Sequence, residues 1–515
     1  MSQKKIPIID LFAGPGGLGE GFSSVIDKNG DRFFNIVLSI ERDEFAHQTL
    51  TLRSFLRQFP HKILPKDYYD FLRNENKSSA TSELYKRYPV QADAAHSEAW
   101  DISLGDPKDH NAIDNRIRKA IEGNSDFVLI GGPPCQAYSL VGRARRQETN
   151  GLNREDERVF LYREYYRILA KHRPAIFIME NVKGLLSSKI DNKSIFNQLL
   201  EDLKNPVESY RKLRGENTIS GKKTRYKIYS LVVSADEGKT DLLPKDYIIR
   251  AENYGIPQAR HRIILVGVRE DINKVPGLLL KSENVSTRSV IAGLPFLRSA
   301  VSKGDNTDTG WKNAVSNILK LNLEIDRHVY KEIKKSVRQL EPSQFGNGSN
   351  FLECESDISI YRSWYWDKNI GGVINHESRS HIESDLHRYL FVSCFSKTYG
   401  RSPKLLEFPK SLLPKHNNIK AAISENKFAD RFSSQHFDQP CKTITSHISK
   451  DGHYYIHPDP LQCRSFTVRE AARIQTFPDN YFFCGPRTQQ FHQVGNAVPP
   501  YLACQIAKTI SKLLH

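Results

Sequence analysis

Short runs of consecutive apolar residues recur through the first half of the chain. They are IPII (6–9), NIVLSIE (35–41), DFVLIGG (126–132), AIFIMEN (175–181), YKIYSLVVS (226–234) and RIILVGV (262–268). Unbroken runs of this length, rich in Ile and Val, are typical of strands buried on both faces of a sheet. Because stretches of helical character separate the runs, the pattern predicts an open α/β fold with a mostly parallel sheet.

The pattern changes after about residue 270. Between 271 and 460, aromatic and basic residues are interleaved and the alternation of strands and helices fades. Amphipathic patterns return at 465–477 and at 494–514, where a closing helix is predicted after two prolines. We therefore predict a first domain over residues 1–270, completed by residues 461–515, and a smaller irregular domain over 271–460.

Composition narrows the class of protein. The chain has 515 residues, 39% of them hydrophobic, which is enough for a sizeable core. It has no apolar run of about 18 residues and no signal peptide, so we expect a cytoplasmic protein without a membrane span. Seven cysteines without a C-x-x-C pair argue against a zinc knuckle and a disulfide framework, and we expect no metal. The formal net charge of +16 favours a polyanionic partner, although many basic proteins bind none.

A glycine-rich stretch follows the first apolar run. DLFAGPGGLGEGF (10–22) contains Gly14, Gly16 and Gly19 in the spacing G-x-G-x-x-G. A strand, a tight turn and a helix in this order hold nucleotide-like cofactors. The spacing does not identify the cofactor, and glycine clusters often mark only a turn. On this stretch alone, a nicotinamide-dependent dehydrogenase stays open.

Three further motifs place polar side chains where predicted strands begin or end. Cys135 follows DFVLIGG after two prolines that stiffen the loop, and Glu180 ends the run AIFIME. Gln258, Arg260 and Arg262 alternate into the last run, so we expect them on one face. An isolated cysteine is more often a small buried residue, and a lone glutamate is usually solvated. Together at the edge where open α/β sheets bind ligands, these residues predict an active site.

With these motifs in this order, the chain resembles DNA (cytosine-5)-methyltransferases of the bacterial restriction-modification kind. The motifs that carry the resemblance are DLFAGPGGLGEGF, GGPPCQAYS, MENV, QARHR, REAARIQTFPD and QVGNAVPP. They imply a Rossmann-like S-adenosylmethionine-dependent methyltransferase domain, and the middle third, which carries no motif, fits a target recognition domain. The resemblance also implies double-stranded DNA as substrate and a monomeric enzyme, and it leaves open whether a cognate restriction enzyme accompanies the protein.

The resemblance assigns the chemistry to four residues. In this family a cysteine thiolate adds to carbon 6 of cytosine, a step suited to a soft nucleophile. The resemblance assigns this role to Cys135. Glu180 would then share a proton with ring nitrogen 3, Arg262 would contact the base oxygen, and Arg260 would support the catalytic loop. The cytosine must first flip out of the duplex. The expected substrate-binding residues are Pro134, Gln136, Ser139, Asn181 and Gln258.

The same resemblance implies a pocket for S-adenosylmethionine. Its expected residues are Phe12, Gly14, Gly16, Glu41, Asn496 and Ala497. Glu41, at the end of NIVLSIE, is placed to accept hydrogen bonds from the ribose hydroxyls. For the acidic residue that contacts the adenine amine, Asp93, Asp101 and Asp106 all stay candidates. Pro15 departs from the family pattern and is expected only to stiffen the turn.

Alternative functions are less well supported. A transfer RNA cytosine-5 methyltransferase would use the same chemistry, but those relatives have a short recognition region in place of 271–460. A catalytically inactive DNA-binding relative is disfavoured because Cys135, Glu180 and Arg262 are all present. The dehydrogenase lacks a matching set of substrate residues.

Two segments of the middle third stand out by composition. YRSWYWDKN (361–369) is aromatic, and we expect Trp364 and Trp366 to lie in the core of the second domain. The segment 432–458 mixes hydroxyl, amide and basic side chains with aromatic rings, and it is the better candidate for contact with DNA. Recognition of a DNA sequence is therefore assigned to 271–460.

Overall fold

The computed structural model describes residues 5–133, 161–190, 193–214, 224–234, 242–414 and 430–514. Its centre is an eight-stranded sheet. The strands are β1 (Ile6–Leu11), β2 (Phe34–Ile40), β3 (Ala99–Trp100), β4 (Val128–Gly131), β5 (Ile176–Val182), β6 (Tyr226–Tyr229), β7 (Ile248–Arg250) and β8 (His261–Arg269). Their order is β3-β2-β1-β4-β5-β8-β6, and β7 also pairs with β8.

The sheet is mostly parallel, as predicted. β1 to β5 run parallel to one another. β8 runs antiparallel to its partners β5, β6 and β7. Every apolar run that was predicted to be a strand forms one, but YKIYSLVVS forms a strand only as far as Tyr229. There the Ser230 hydroxyl accepts hydrogen bonds from the amides of Val232 and Val233 at 3.0 and 3.1 Å, which turns the chain.

Helices connect and cover the strands. In the first 270 residues they are α1 (Gly17–Ser23), α2 (Glu44–Arg57), α3 (Lys66–Arg73), α4 (Lys77–Arg87), α5 (Pro89–Glu98), α6 (His110–Ile121), α7 (Leu161–His172), α8 (Ile195–Lys204) and α9 (Pro206–Arg214). The later helices are α10 (Thr287–Ile291), α11 (Asp308–Ser316), α12 (Arg327–Arg338), α13 (Arg362–Tyr365), α14 (Glu383–Tyr399), α15 (Val468–Ile474), α16 (Arg487–Asn496) and α17 (Pro500–Ser511).

Smaller elements complete the described chain. Two-stranded pairs join Lys189–Ile190 to Lys193–Ser194, Gln258–Ala259 to Cys441–Lys442, Ala300–Val301 to Ser380–His381, and Gly348–Leu352 to Val373–Glu377. Short 3-10 helices lie at Pro107–Asp109, Lys183–Ser187, Pro244–Tyr247, Ala251–Tyr254, Asn317–Lys320, Lys368–Ile370, Leu405–Glu407, Lys410–Leu412 and Ser446–Ser449. Among the described residues, every helix is too short or too polar to cross a lipid bilayer.

The central sheet lies between two layers of helices. Alternate residues of each strand point to opposite faces, so one face carries Ile8 and Val128 and packs against α1 and α17. The other face carries Ile9 and Leu129 and packs against α6, α7 and α8. The C-terminal helix lies so close to α1 that a Cβ atom on Gly21 would be 2.4 Å from the Cβ of Ala503.

The middle third is more helical than its sequence pattern indicated. α11, α12 and α14 pack together around the fully buried Trp311. α14 has 17 residues, and all of Leu386–Ser396 is buried. A helix that is buried on all sides has no polar face, so its sequence lacks the amphipathic period by which helices are identified.

The expectation for the two tryptophans of 361–369 is only half right. Trp364 is half-buried, and its indole Nε1 donates to the carbonyl of Thr476 at 2.8 Å. Trp366 is 38% exposed, with the Arg362 guanidinium 4.1 Å from the ring centroid. Trp366 is therefore not a core residue, because its ring packs under a surface arginine instead.

Candidate active site

Several of the predicted site residues that the structure describes lie around the carboxyl ends of the parallel strands. β1 leads into the glycine-rich stretch, β2 into Glu41, and β4 into Gly132; β5 ends at Val182, two residues after Glu180. Parallel strands bring such ends to a common edge. β8 runs the opposite way, so its first residues, not its last, lie beside the end of β5.

Glu180 and Arg262 meet at this edge. Arg262 pairs with Val182 in the register of β5 and β8. Its Nε lies 2.9 Å from Oε1 of Glu180, and the two side chains are 16% and 14% exposed. Burial lowers the pKa of Arg262, and the charge of Glu180 opposes that shift. The result is an ion pair with limited access to solvent, in which the carboxylate and the guanidinium each keep a small exposed surface.

Gly132 lies directly above this ion pair. A Cβ atom on Gly132 would be only 2.9 Å from Oε2 of Glu180, so a larger residue here would displace the Glu180 carboxylate. The next residues along the chain are the Pro-Pro-Cys-Gln stretch. The predicted site residues Pro134, Cys135, Gln136 and Ser139 lie outside the described residues.

Arg260 and Gln258 are more deeply buried than Arg262. Arg260 is 2% exposed, and its Nη1 donates to the carbonyls of Ile444 and Gly495 at 2.7 and 3.4 Å. Burial and the neighbouring Arg262 lower the pKa of Arg260 well below its usual range. Gln258 donates to the carbonyl of Ile474 at 3.1 Å and accepts from the Ile444 amide at 3.0 Å. Both side chains thus bind backbone groups from the C-terminal third of the chain.

Gln475 was missed by the sequence analysis. It is fully buried, and its Nε2 donates to the carbonyls of Val494 and Ala497 at 2.7 and 3.0 Å, while its Oε1 accepts from Gln258. It therefore links QARHR to QVGNAVPP. Both partners are far away in sequence, so no local pattern around Gln475 signals the contact.

The glycine-rich loop has a strongly turned backbone. Phe12, Gly14 and Gly16 have φ values of 56°, 58° and 95°. A side chain is tolerated badly in this left-handed region, which accounts for two of the glycines. No atom lies within 4 Å of the position that a Cβ on Gly14 would take. Gly14 therefore presents bare, accessible backbone beside the loop.

Glu41 is tied to this loop. Its Oε2 accepts from the Gly14 amide at 2.8 Å, and its Oε1 accepts from the amides of Arg42 and Asp43 at 2.9 and 2.7 Å. Of the three candidate aspartates, Asp101 directly follows β3, the neighbour of β2, and is exposed. Asp93 lies within α5, and Asp106 accepts from the Lys108 amide at the start of a 3-10 helix.

The remaining predicted residues differ in accessibility. Asn181 is buried, and its Oδ1 accepts from the Val182 amide at 2.8 Å. Asn496 is exposed at the end of α16, where its Nδ2 lies 2.9 Å from Nε2 of His492. Ala497 is buried, and its neighbour Val498 has a carbonyl 2.5 Å from where a Cβ on Gly17 would lie. The C-terminal segment thus closes against the start of α1.

The polar segment 432–458 is largely buried. Ser433, Ser434 and Gln435 are inaccessible, and Thr443 donates to the carbonyl of Ala259 at 2.6 Å. Residues 441–444 of the segment therefore lie beside QARHR, and the more exposed part of the segment is around 436–439. Within the described ranges, no cluster of three or more His, Cys, Asp or Glu side chains is arranged to hold a metal ion.

Comparison with known proteins adds independent findings. A family model for C-5 cytosine-specific DNA methylases matches residues 94–207 and 244–512. The type II methyltransferase M.Bpa9945I of Bacillus paralicheniformis is 32% identical over 529 residues, which cover 99% of each chain. The type II methyltransferase M.DdeI of Desulfomicrobium norvegicum is 25% identical over 98% of this chain and 88% of its own. The DNA (cytosine-5-)-methyltransferase M.ApeKI of Aeropyrum pernix is 24% identical over 76% and 83%.

Proposed function

The chain belongs to the C-5 cytosine-specific DNA methylase family, and we propose that it modifies cytosine within a short DNA sequence as part of a restriction system. It is a DNA (cytosine-5-)-methyltransferase that uses S-adenosylmethionine. The observation that carries the site assignment is the Glu180–Arg262 ion pair beneath Gly132 at the carboxyl edge of the sheet. Its members come from two motifs more than 80 residues apart in the chain.

The edge of the sheet fits the methyl donor. Bare backbone at Gly14, the turned loop and the carboxylate of Glu41 offer the space and the hydrogen-bond acceptor that a ribose and an amino acid portion require. We assign the adenine contact to Asp101, because it follows the strand next to Glu41. Asn496 and Ala497 would close the methionine end. When bound there, S-adenosylmethionine supplies an electrophilic methyl group from its sulfonium.

For catalysis we assign the nucleophile to Cys135, three residues after Gly132. Three residues span at most about 11 Å, so the length of the chain allows Cys135 to reach the ion pair. Addition of the thiolate to carbon 6 of a flipped cytosine would place charge on nitrogen 3 and oxygen 2. Glu180 is assigned to hold a proton at nitrogen 3, and Arg262 to donate to oxygen 2 while it orients Glu180.

Arg260 and Gln258 are assigned positioning roles. Their side chains bind the backbone of Ile444, Ile474 and Gly495, which fixes the end of the recognition region and the C-terminal segment against QARHR. A hydrogen bond to an otherwise unpaired buried carbonyl is costly to lose. Positioning roles explain why Gln258 and Arg260 of the QARHR motif are buried, although Arg262 of the same motif lies at the edge of the sheet.

Contact with DNA outside the target is assigned to 271–460. The exposed face of α12 carries five cations, and its buried face carries Val329, Ile333 and Val337. The cations are Arg327, Lys331, Lys334, Lys335 and Arg338. The half-buried Glu332 pairs instead with Lys397, 2.7 Å away. A basic face of this kind is complementary in charge to the phosphate backbone of DNA.

Replacing Lys331, Lys334 and Lys335 by alanine tests this contact. If all three bind phosphates, the slope of log affinity against log salt should become shallower by about 2 to 3. The matched control replaces Lys66, Lys86 and Lys119, which are exposed on helices of the first domain. An equal effect of both triple variants would mean that only net charge matters, and would contradict the assignment.

Bisulfite sequencing of DNA from cells that express the protein is the direct test of the function. Cytosines protected within one sequence context are expected, and protection absent from DNA but present in transfer RNA would favour the alternative substrate. Exchanging 271–460 for the same region of a relative should then change the methylated sequence while Cys135 and Glu180 stay essential. An active chimera with unchanged specificity would contradict the recognition assignment.

Subunit number, location and a partner enzyme are further parts of the proposal. We propose a monomer that acts on nucleoid DNA in the cytoplasm, accompanied by a restriction enzyme that cuts the same sequence when it is unmethylated. A methyltransferase that modifies both strands of a duplex in separate events needs no second subunit. Sedimentation at increasing protein concentration, with and without DNA, measures the subunit number.

A further inference from the structure

The glycine-rich loop requires support from outside its own sequence. Phe12 is in the left-handed region, a backbone conformation that is strained for a non-glycine residue. α1 begins at Gly17, and its N-cap residue, Gly16, has no side chain with which to cap it. A strained loop keeps one shape only when surrounding contacts determine that shape.

Tyr481 provides such a contact. Its hydroxyl donates to the carbonyl of Pro15, in the middle of the loop, and it lies 3.3 Å from the position that a Cβ on Gly16 would take. Both Tyr481 and Pro15 are buried. Burial raises the pKa of Tyr481 above its usual range, so the hydroxyl stays a neutral donor. The two residues are 466 positions apart in the chain.

Tyr481 is itself fixed by two arginines. The Arg53 guanidinium lies 4.4 Å from the centroid of the Tyr481 ring and pairs at 2.6 Å with Glu20 of α1. Arg469 donates through Nη2 to the carbonyl of Tyr481 at 2.7 Å and through Nε to the carbonyl of Ile374 at 2.9 Å. Ring, backbone and hydroxyl are therefore each held, and the phenol has a defined direction.

The aromatic run 361–369 anchors the segment that carries Tyr481. Trp364 donates to the carbonyl of Thr476, and Asp367 accepts from Nδ2 of Asn480 at 2.9 Å. Tyr68 of α3 donates to the carbonyl of Asn480 at 2.6 Å. The run thus binds protein backbone beside Tyr481, which is a use for it other than contact with DNA.

We propose that Tyr481 is a positioning residue for S-adenosylmethionine: by holding the Pro15 carbonyl, it keeps the loop Phe12–Gly16 in the shape that receives the cofactor. The inference rests on the assignment of this loop to the cofactor. It gives the segment 473–481 a role in cofactor affinity, although that segment lies more than 450 residues after the loop. Pro15, which has no amide hydrogen, then contributes its carbonyl as well as a stiff turn.

The test is Tyr481→Phe, which removes the hydroxyl and keeps the ring. Because the variant leaves a buried carbonyl of the loop unpaired, we expect the Kd for S-adenosylhomocysteine, measured by titration calorimetry, to rise about tenfold. The KM for S-adenosylmethionine should rise in parallel, while kcat at saturating cofactor and DNA stays within about twofold. A merely structural role would lower the folded fraction, and with it kcat and the binding stoichiometry, without raising KM.

Tyr226→Phe is the matched control. Tyr226 is also buried, and its hydroxyl donates at 2.8 Å to a proline carbonyl, that of Pro174, at the other end of the sheet. This variant should lose stability to a similar extent and keep the wild-type Kd. An unchanged Kd in Tyr481→Phe, or an equal rise in both variants, would overturn the inference. If the wild type itself fails to bind S-adenosylhomocysteine, the cofactor assignment of the loop is at fault instead.

Discussion

Arg260 and Arg262 stand two residues apart in one motif but belong to different regions of the molecule. Arg262 lies at the sheet edge, 16% exposed, with the carboxylate of Glu180 as its partner. Arg260 belongs to a buried polar framework and binds the carbonyls of Ile444 and Gly495. At the edge, a charged side chain borders the space that a ligand would occupy. In the framework, the side chains make their polar contacts with the protein itself.

The framework extends through the C-terminal third. Arg464 and Glu470 form a fully buried pair joined by two hydrogen bonds of 2.8 and 2.6 Å, and Arg473 binds Asp479 in the same way at 2.8 and 2.9 Å. Buried pairs of this kind hold segments in a fixed arrangement and are costly to break. The difference predicts that edge residues control the reaction and framework residues control folding.

The largest effect is expected from Cys135→Ser, which would test the edge at its proposed nucleophile. A serine hydroxyl is far less nucleophilic than a thiolate, so methylation should fall by more than about a thousandfold. DNA binding should change little, because phosphate contacts supply most of the affinity. Turnover above roughly a thousandth of wild type, measured by tritium transfer to DNA, would contradict the assignment.

A trapping experiment provides the control for that variant. A duplex with 5-fluorocytosine at the target should form a denaturation-resistant complex with the wild type when S-adenosylmethionine is present. Fluorine cannot leave as a cation, so the final elimination is blocked. The Cys135→Ser variant should give no such complex, and a complex that persists would mean that another residue attacks the base.

Glu180→Gln should have the next largest effect on activity. The amide keeps the shape of the side chain but cannot supply a proton, so we expect kcat to fall by about 10² to 10⁴. One hydrogen bond to Arg262 is weakened, so the free energy of unfolding should fall by no more than about 2 kcal/mol. Kinetics on an oligonucleotide duplex and urea denaturation measure the two quantities. A large loss of stability with normal kcat would place Glu180 in the framework instead.

Glu470→Gln is the opposite case, since it makes the same chemical change inside the framework. It leaves the buried Arg464 without its charged partner, which typically costs about 3–5 kcal/mol. The pKa of Glu470 is held well below its usual range by Arg464, so the wild-type side chain is ionised at neutral pH. The expected result is a clear fall in the urea midpoint, with kcat per folded molecule unchanged. Loss of kcat without loss of stability would break the comparison.

The sheet edge could be predicted from the sequence, whereas the framework could not. Apolar runs locate strands, and a polar residue at the end of such a run lies at the edge, which is how Glu180 and Glu41 were found. The contact of Arg262 with Glu180 depends on the antiparallel register of β8, which the alternation of its own strand does not encode. Gln258 was expected at the substrate, and its actual contacts come from Ile444, Ile474 and Gln475.

The middle third shows the same limit at the level of helices. α12 has a polar and an apolar face, but α14 is buried along most of its length and therefore carries no period. Trp311, at the centre of that cluster, carried no signal beyond its size, and Trp366, which did stand out, is 38% exposed. The pattern of apolar and polar residues along the chain indicates which side chains are exposed to water. It does not indicate which partner a buried side chain contacts.

Asp10 is expected to give the smallest change in stability from one pH value to the next. It tests whether the edge of the sheet can also hold an uncharged carboxyl group. It is the last residue but one of β1 and is buried. Burial raises its pKa to about 8, an effect that Arg57 partly opposes and that Glu98 and Glu41 reinforce. In the unfolded chain the carboxyl loses its proton near 3.8, its ordinary pKa. Between these values the folded protein binds the additional proton. The stability contributed by this group is therefore fully present below about pH 4 and is lost as pH rises to about 8.

Asp10→Asn removes this titration while it keeps the shape of the side chain. The difference in unfolding free energy between Asp10→Asn and wild type should therefore move in favour of the variant as pH rises from about 5 to 8, by at most about 1.4 kcal/mol per pH unit. Taking the difference cancels the titration of all other groups. Urea denaturation at four pH values measures it. If the two stability curves run parallel across this range, Asp10 is ionised in the folded protein. The edge of the sheet then carries a second negative charge beside that of Glu41.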